Sequence, residues 1–347
     1  MTDLLNSTNL TPVEKSTVVT DGDGTLYPFW EYFVPAMRTI IPIIAAKMSA
    51  KYGRKFSLDD ISHPIAHVMK VAGTHEYPWV WELSPFWQDE EYRKVWKNYA
   101  EFRAEIVEPF WKAMDFERSR NLYLYDDVLE SLQAVVREGK NLVMLSDGPY
   151  YMVRAKLTQL GIGHLFTAVY ALETLEPQAK YAEHGLKMQH ALNDEELAYG
   201  RDRVRQFSNM AVGCPMHQNA PDWEKPNKRG LERILTDLNI KPEQTIMVGD
   251  SLSKDGGVAQ ANGVAFLWAR YGVQLARDYR KMIDVHFVHP NDRPKVKTHT
   301  VLPPMLGKHG ASTWLETLDH LGEEPLPLRP TVLNPSVHTQ PVQGSGH

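Results

Sequence analysis

Asp21-Gly22-Asp23-Gly24-Thr25 sets two carboxylates two positions apart, directly after the β-prone run Thr17-Val18-Val19-Thr20. In an extended chain Asp21 and Asp23 occupy alternate backbone positions, and Gly22 and Gly24 allow a tight bend around a bound anion. Such a pair can divide the work of a group transfer, one carboxylate attacking while the other handles a proton. Two structural readings compete with this one. The opening also matches the start of a calcium loop, but Leu26 and Tyr32 stand where that loop needs Gly and Glu. An Asp-Gly turn closing a hairpin suits DGDG well.

The elements that would position these groups are legible further on. Three apolar runs end in polar residues, as parallel strands do where their carboxyl ends line a crevice. They are Leu142–Leu145 into Ser146-Asp147-Gly148, Thr245–Val248 into Gly249-Asp250-Ser251, and Val264–Trp268 before Ala269-Arg270. Helical stretches precede them at Asp127–Glu138, Arg229–Leu238 and Lys254–Ala261, and the alternation predicts an open α/β sheet with crossover helices. The core is therefore expected at 15–26 and 121–290, interrupted by a helical insertion at 27–120. Within that insertion Trp79, Trp81, Phe86, Trp87, Trp96, Phe102, Phe110 and Trp111 could line a pocket, although aromatics at helical spacing usually form core.

A second stretch, 172–222, exceeds what a strand-to-helix connection needs and reads as an insertion, helical over Ala179–Phe207. Its Cys214-x-x-His217, with His184 and His190 nearby, has a spacing seen in zinc sites, but structural zinc normally draws on more thiolates. Residues 291–347 read as a C-terminal extension with one short helix at Thr313–Leu321 and a flexible Pro-rich tail.

At 347 residues, 43% hydrophobic and 23% charged, the chain has the composition of a globular protein with one large core and a satellite domain. A net charge of −5 gives no general attraction for nucleic acid or anionic membrane, so a small-molecule partner is expected. Arg201, Arg203, Arg205, Arg229 and Arg233 could attract nucleic-acid ends, but charges that alternate this way usually mark a solvated face. The single Cys214 suits a reducing compartment, the amino terminus lacks the pattern of a secretory signal, and the apolar run Ile40–Ala46, broken by Pro42, is too short to span a membrane. A cytoplasmic enzyme is the expectation. Oligomeric state is not legible.

Together the strand ends supply Asp21, Asp23 and Thr25, then Ser146, then Asp250 and Asp255, with Lys225 before Pro226 between them. The ordered set DGDGT, VMLSDG, EKPNKRG and VGDSLSKD resembles the haloacid dehalogenase-like superfamily of hydrolases over about residues 16 to 290, insertions aside. The resemblance implies a Rossmann-like core with a helical cap after the first strand. It implies Asp21 as nucleophile and Asp23 as general acid and base. It also implies phosphate binding by Thr25, Ser146, the backbone around Asp147 and Gly148, and Lys225. The implied cofactor is Mg2+, held by Asp21, the Asp23 carbonyl and Asp250, with Asp255 either binding through water or anchoring Lys225.

The physical logic is that phosphoryl transfer spreads negative charge, and positioned cations and donors stabilise it. Each member has a simpler role available: Ser146 as helix N-cap, Lys225 as surface lysine, Asp250 as turn residue. Asp23 favours phosphate over halide chemistry, because halide departure needs no acid. Phosphonate-cleaving members use a cap lysine, for which Lys47, Lys51 and Lys70 are available. Ser146 and Lys225 stand 79 residues apart, so Lys228 is a rival for the phosphate-site lysine. The expected activity is hydrolysis of a small phosphomonoester, with a phosphotransferase or mutase, or a non-catalytic binding protein, as alternatives.

Overall fold

The computed structural model describes residues 15–273. The expected core boundary at 290, the extension 291–347 and the helix Thr313–Leu321 lie outside the described residues. Six parallel strands form one sheet in the order β4-β3-β2-β1-β5-β6. They are β1 (Thr17–Thr20), β2 (Asn141–Pro149), β3 (Ala168–Leu172), β4 (Met216–Asn219), β5 (Thr245–Gly249) and β6 (Ala265–Trp268).

Alternation along the strands sends side chains to opposite faces, and the two faces bury different helices. Val18, Leu142, Met144, Ile246 and Val248 meet Val128, Leu132 and Val135 of the helix Val128–Arg137, called α4, and Val153 and Leu157 of the helix Tyr150–Leu160, called α5. Val19, Val143, Leu145, Met247 and Phe266 meet Leu231 and Ile234 of the helix Arg229–Asp237, called α8, and Val258 and Ala259 of the helix Asp255–Ala261, called α9. The sheet is thus covered on both sides, as a parallel sheet requires.

Between β1 and β2 lies an inserted, mainly helical cap whose longest members are α1 (Trp30–Tyr52), α2 (Leu58–Ala72) and α3 (Glu108–Asn121). Ser57 opens α2 with a reciprocal capping box to Asp60, and Gly53 and Gly73 close α1 and α2 in the left-handed conformation. The expected aromatics are core: none of Trp79, Trp81, Phe86, Trp87, Trp96, Phe102, Phe110 and Trp111 exceeds 5% exposure. One expectation is corrected. The helix Trp30–Tyr52 is long and apolar enough to cross a membrane, because the helix continues through Pro35 and Pro42; half of its most apolar window is buried within the protein.

The stretch 172–222 carries the expected helices, α6 (Pro177–Glu183) and α7 (Asp194–Ser208), but it also contributes strand β4 at the sheet edge. It packs on the cap as well as the core. Trp79 Nε1 donates to Leu197 O at 3.1 Å and Trp87 Nε1 to Glu196 Oε1 at 2.8 Å. Gly200 makes the first contact possible, since a Cβ there would sit 2.3 Å from the Trp79 indole nitrogen.

Beneath this junction Glu82 is fully buried, receives Tyr99 Oη at 2.6 Å on one oxygen and leaves the other without a partner. Burial pushes its carboxyl up to about 7, with Glu196 adding to the rise and Tyr99 opposing it. A folded-state value above the ordinary 4.5 means stability that is present below pH 4.5 and lost as pH rises through about 7. At about 1.4 kcal/mol per pH unit, the loss is about 3 kcal/mol. Glu82→Gln is expected to remove that slope, making the variant more stable than wild type at pH 8. Denaturant melts at pH 5 and 8 check this, and parallel changes in both proteins would refute it.

Candidate active site

The sheet order places β1 between β2 and β5, where the chain reverses its direction of travel across the sheet. Such a reversal leaves a crevice at the carboxyl ends. Thr20 is in register with Met144 on one side and Val248 on the other, so the residues that follow, Asp21, Ser146 and Asp250, emerge together. Asp21 N donates to Val248 O at 2.9 Å, fixing the exit of β1. β2 shifts register between Leu145 and Pro149, which turns Ser146-Asp147-Gly148 out of the ladder.

Lys225 is the hub of the site. Buried to 4% exposure, its Nζ donates to Asp21 Oδ1 at 2.7 Å, Asp255 Oδ1 at 2.6 Å and Leu145 O at 3.3 Å. Burial alone would lower its pKa, but Asp21, Asp255 and Asp147 raise it well above the ordinary lysine value. Lys228 sits instead on the surface, 3.5 Å from Glu232. The Lys225–Pro226 peptide is cis. Asp147 aligns the segment, accepting from Lys225 N at 2.9 Å and Lys254 Nζ at 3.1 Å.

Asp255 anchors Lys225 and accepts from Ser251 N at 2.9 Å. Gly249 permits this approach, since a Cβ there would lie 2.3 Å from the Asp255 carboxyl carbon. Ligand oxygens of Asp21, Asp250 and Asp255 lie within 4.8 Å of one another. Burial, then Asp21 and Asp255, push Asp250 up to about 8; burial pushes Asp255 up to about 7 against the pull of Lys225. Negative charge is therefore in excess here, and an all-oxygen donor set with such an excess fits a hard divalent cation.

Asp21, Asp23, Ser146, Asp147, Gly148, Lys225, Asp250 and Asp255 all line one cleft of about 320 Å³, lined on the cap side by Phe29, Trp30, Gly73, Thr74, His75 and Glu76. Ser146 is not a helix cap: α5 is preceded by Pro149, and Ser146 Oγ accepts from Gly148 N at 3.0 Å. Thr25 does not reach the cleft; its hydroxyl is buried without a partner, and its carbonyl accepts from Tyr271 Oη at 2.6 Å. Lys47 and Lys51 are engaged with Glu105 O and Glu101, and neither they nor Lys70 line the cleft. His75 stays neutral, lowered to about 4 chiefly by burial, and packs 5.2 Å from Trp30.

Sequence reasoning missed Lys156 and Glu76. Lys156, fully buried on α5, donates to Asp23 Oδ1 at 2.8 Å and Oδ2 at 3.1 Å, and to Glu76 Oε2 at 2.8 Å. Burial pushes Asp23 up to about 6, and Lys156 limits the rise.

The rival sites are not assembled among the described residues. His184 meets Glu183, His190 meets Glu196 and His217 stacks on Tyr170 at 4.7 Å, so Cys214 gains no ligand cluster. Arg201, Arg203, Arg205, Arg229 and Arg233 each pair with a carboxylate rather than forming an open basic face.

Against known proteins, the sequence model described as haloacid dehalogenase-like hydrolase matches residues 15–193, and one described as HAD-hydrolase-like matches 222–293. The chain is 26% identical over 158 residues to the phospholysine phosphohistidine inorganic pyrophosphate phosphatase of Danio rerio, covering 44% of this chain and 51% of that protein. It is 34% identical over 73 residues to the glyceraldehyde 3-phosphate phosphatase of Pyrococcus furiosus, covering 20% and 30%. The chain thus spans about half the length, or less, of these curated relatives. Among solved structures it is similar to a HAD phosphatase from Thermococcus onnurineus, with TM-score 0.43 and 18% identity over 78% of this chain and 97% of that one.

Proposed function

Because the chain belongs to the haloacid dehalogenase-like hydrolases, we propose that it is a magnesium-dependent phosphatase that cleaves a small phosphomonoester through an aspartyl-phosphate. The observation that carries this reading is the second carboxylate: Asp23 faces the same cleft as Asp21, at 29% side-chain exposure, where a leaving alcohol needs a proton. Asp21 attacks phosphorus, and Asp23 hands its proton to the departing oxygen and then takes one from the attacking water. Ser146 Oγ and the Lys225 ammonium stabilise the equatorial oxygens. Asp255 and Asp147 keep Lys225 in place.

Asp21, Asp250 and the Asp23 carbonyl would hold Mg2+, with Asp255 behind them. When bound, the ion supplies the positive charge that lets a carboxylate approach a phosphate dianion. The cap excludes water and selects the alcohol, and Phe29, Trp30 and neutral His75 offer it an aromatic wall. The single half-buried cysteine agrees with a cytoplasmic setting.

A phosphate-release screen over sugar phosphates, nucleotides, phosphoglycolate and phosphoamino acids, with and without Mg2+, tests the reading. Turnover of at least one ester is expected, and only with the metal. Asp250, pushed up to about 8, must shed its proton to hold the cation, so the Mg2+ concentration for half-maximal rate is expected to fall by up to about tenfold per pH unit between pH 6 and 8. No release from any ester sinks the phosphatase reading, and phosphate appearing on a second alcohol would mark a transferase instead.

A further inference from the structure

Each carboxylate of the DGDGT segment has its own buried lysine. Lys225 serves Asp21 and is shared with Asp255, while Lys156 serves Asp23 and is shared with Glu76. The first pairing lies within the core. The second joins two domains, since Lys156 is on α5 and Glu76 belongs to the cap segment after α2.

We propose that Lys156 is a positioning residue for Asp23, and that Glu76, delivered by the cap, holds Lys156 in place, so that proton transfer to the leaving oxygen depends on a core-to-cap contact. The proposal rests on the phosphatase reading. Four observations carry it. Lys156 donates to both oxygens of Asp23, which fixes the carboxyl plane and not merely its charge. Its ammonium lies between the rings of Phe29, Tyr27 and Tyr32, at 5.1, 5.7 and 5.7 Å, leaving it little room to swing away.

Glu76 is itself held from both sides. Tyr32 Oη of the cap donates to its Oε1 at 2.8 Å, and Tyr151 Oη of α5 donates to its carbonyl. Of the three charged groups Asp23 is the most exposed, at 29% against 0% for Lys156 and 3% for Glu76. The network therefore ends at the one carboxylate that can meet a leaving group.

The test compares single-turnover cleavage of 4-nitrophenyl phosphate and phenyl phosphate, whose rings share a shape but differ in the leaving oxygen's need for a proton. Lys156→Met is expected to slow the phenyl ester by about 30-fold or more, within the range general acid catalysis supplies, and the nitrophenyl ester by less than about fivefold. Glu76→Gln is expected to show the same selectivity with a smaller phenyl loss, about fivefold. A purely structural role would slow both esters alike, and equal losses in both variants, or none, overturn the proposal. Circular dichroism and melting report folding; should Lys156→Met not fold, Glu76→Gln decides alone by the same criterion. Wild type inert toward both esters and the whole screen would instead sink the phosphatase reading, and this proposal with it.

Discussion

Asp21→Asn is expected to lower phosphate release by about 10⁴-fold or more, the scale seen when a nucleophile is removed. The amide keeps the shape but cannot form the acyl phosphate, so the protein should also lose any mass gain from trapped phosphoryl-enzyme. The fold should survive, because Lys225 retains Asp255 at 2.6 Å and Asp250 loses one of the like charges that press on it. Metal-free stability near neutral pH is therefore expected to match or exceed wild type. Phosphate assays, intact-mass spectrometry after substrate addition and a thermal melt check the three parts. Turnover close to wild type would remove Asp21 from the role of nucleophile.

Lys225→Met is expected to have the opposite balance, with activity lost and stability lost too. Removing the ammonium leaves Asp21 and Asp255 facing each other and Asp250 without their shared counter-charge. Breaking a buried pair by deleting one partner typically costs about 3–5 kcal/mol. The cost should shrink on acidification, because Asp250 and Asp255, already raised to about 8 and 7, protonate readily, and it should shrink again with millimolar Mg2+. Denaturant unfolding at pH 6 and 8, with and without the metal, measures this. A loss below about 1 kcal/mol at pH 8 without metal would mean that Lys225 is not the counter-ion of the acidic cluster.

What the sequence made legible follows from how much local signal each element carries. Strands β2, β5 and β6 carry apolar runs and β1 is the β-prone Thr-Val-Val-Thr, so local composition reveals them. Strand β4, Met-His-Gln-Asn, is an edge strand stabilised by pairing with β3, and nothing in its composition marks it. The long gap between Ser146 and Lys225 has the same cause: helices α6 and α7 and the edge strand all fit inside it.

Lys225 was readable because Pro226 and the neighbouring strand ends framed it. Lys156 was not, since a helical lysine ordinarily points to solvent. A faint signal existed, because Lys156 falls three positions after the buried Val153 and between buried Ala155 and Leu157, on the inward side of α5. Glu76 gave none. Its place is set by Tyr32 and Tyr151, contacts that only the tertiary fold creates.

The central place of β1 in the sheet has a consequence for the order in which this protein comes into being. Thr20 is flanked by Met144 and Val248, and Asp21 is hydrogen-bonded to the backbone of Val248. During synthesis the chain emerges amino terminus first, so Asp21 and Asp23 leave the ribosome long before Lys225, Asp250 and Asp255 exist. The half-made chain already holds Glu76 and Lys156, the partners of Asp23, yet Asp21 has neither its lysine nor its acidic neighbours. Only when β5 slots in beside β1 are Asp21, Lys225 and Asp250 brought together, and by then nearly all of the sheet is in place.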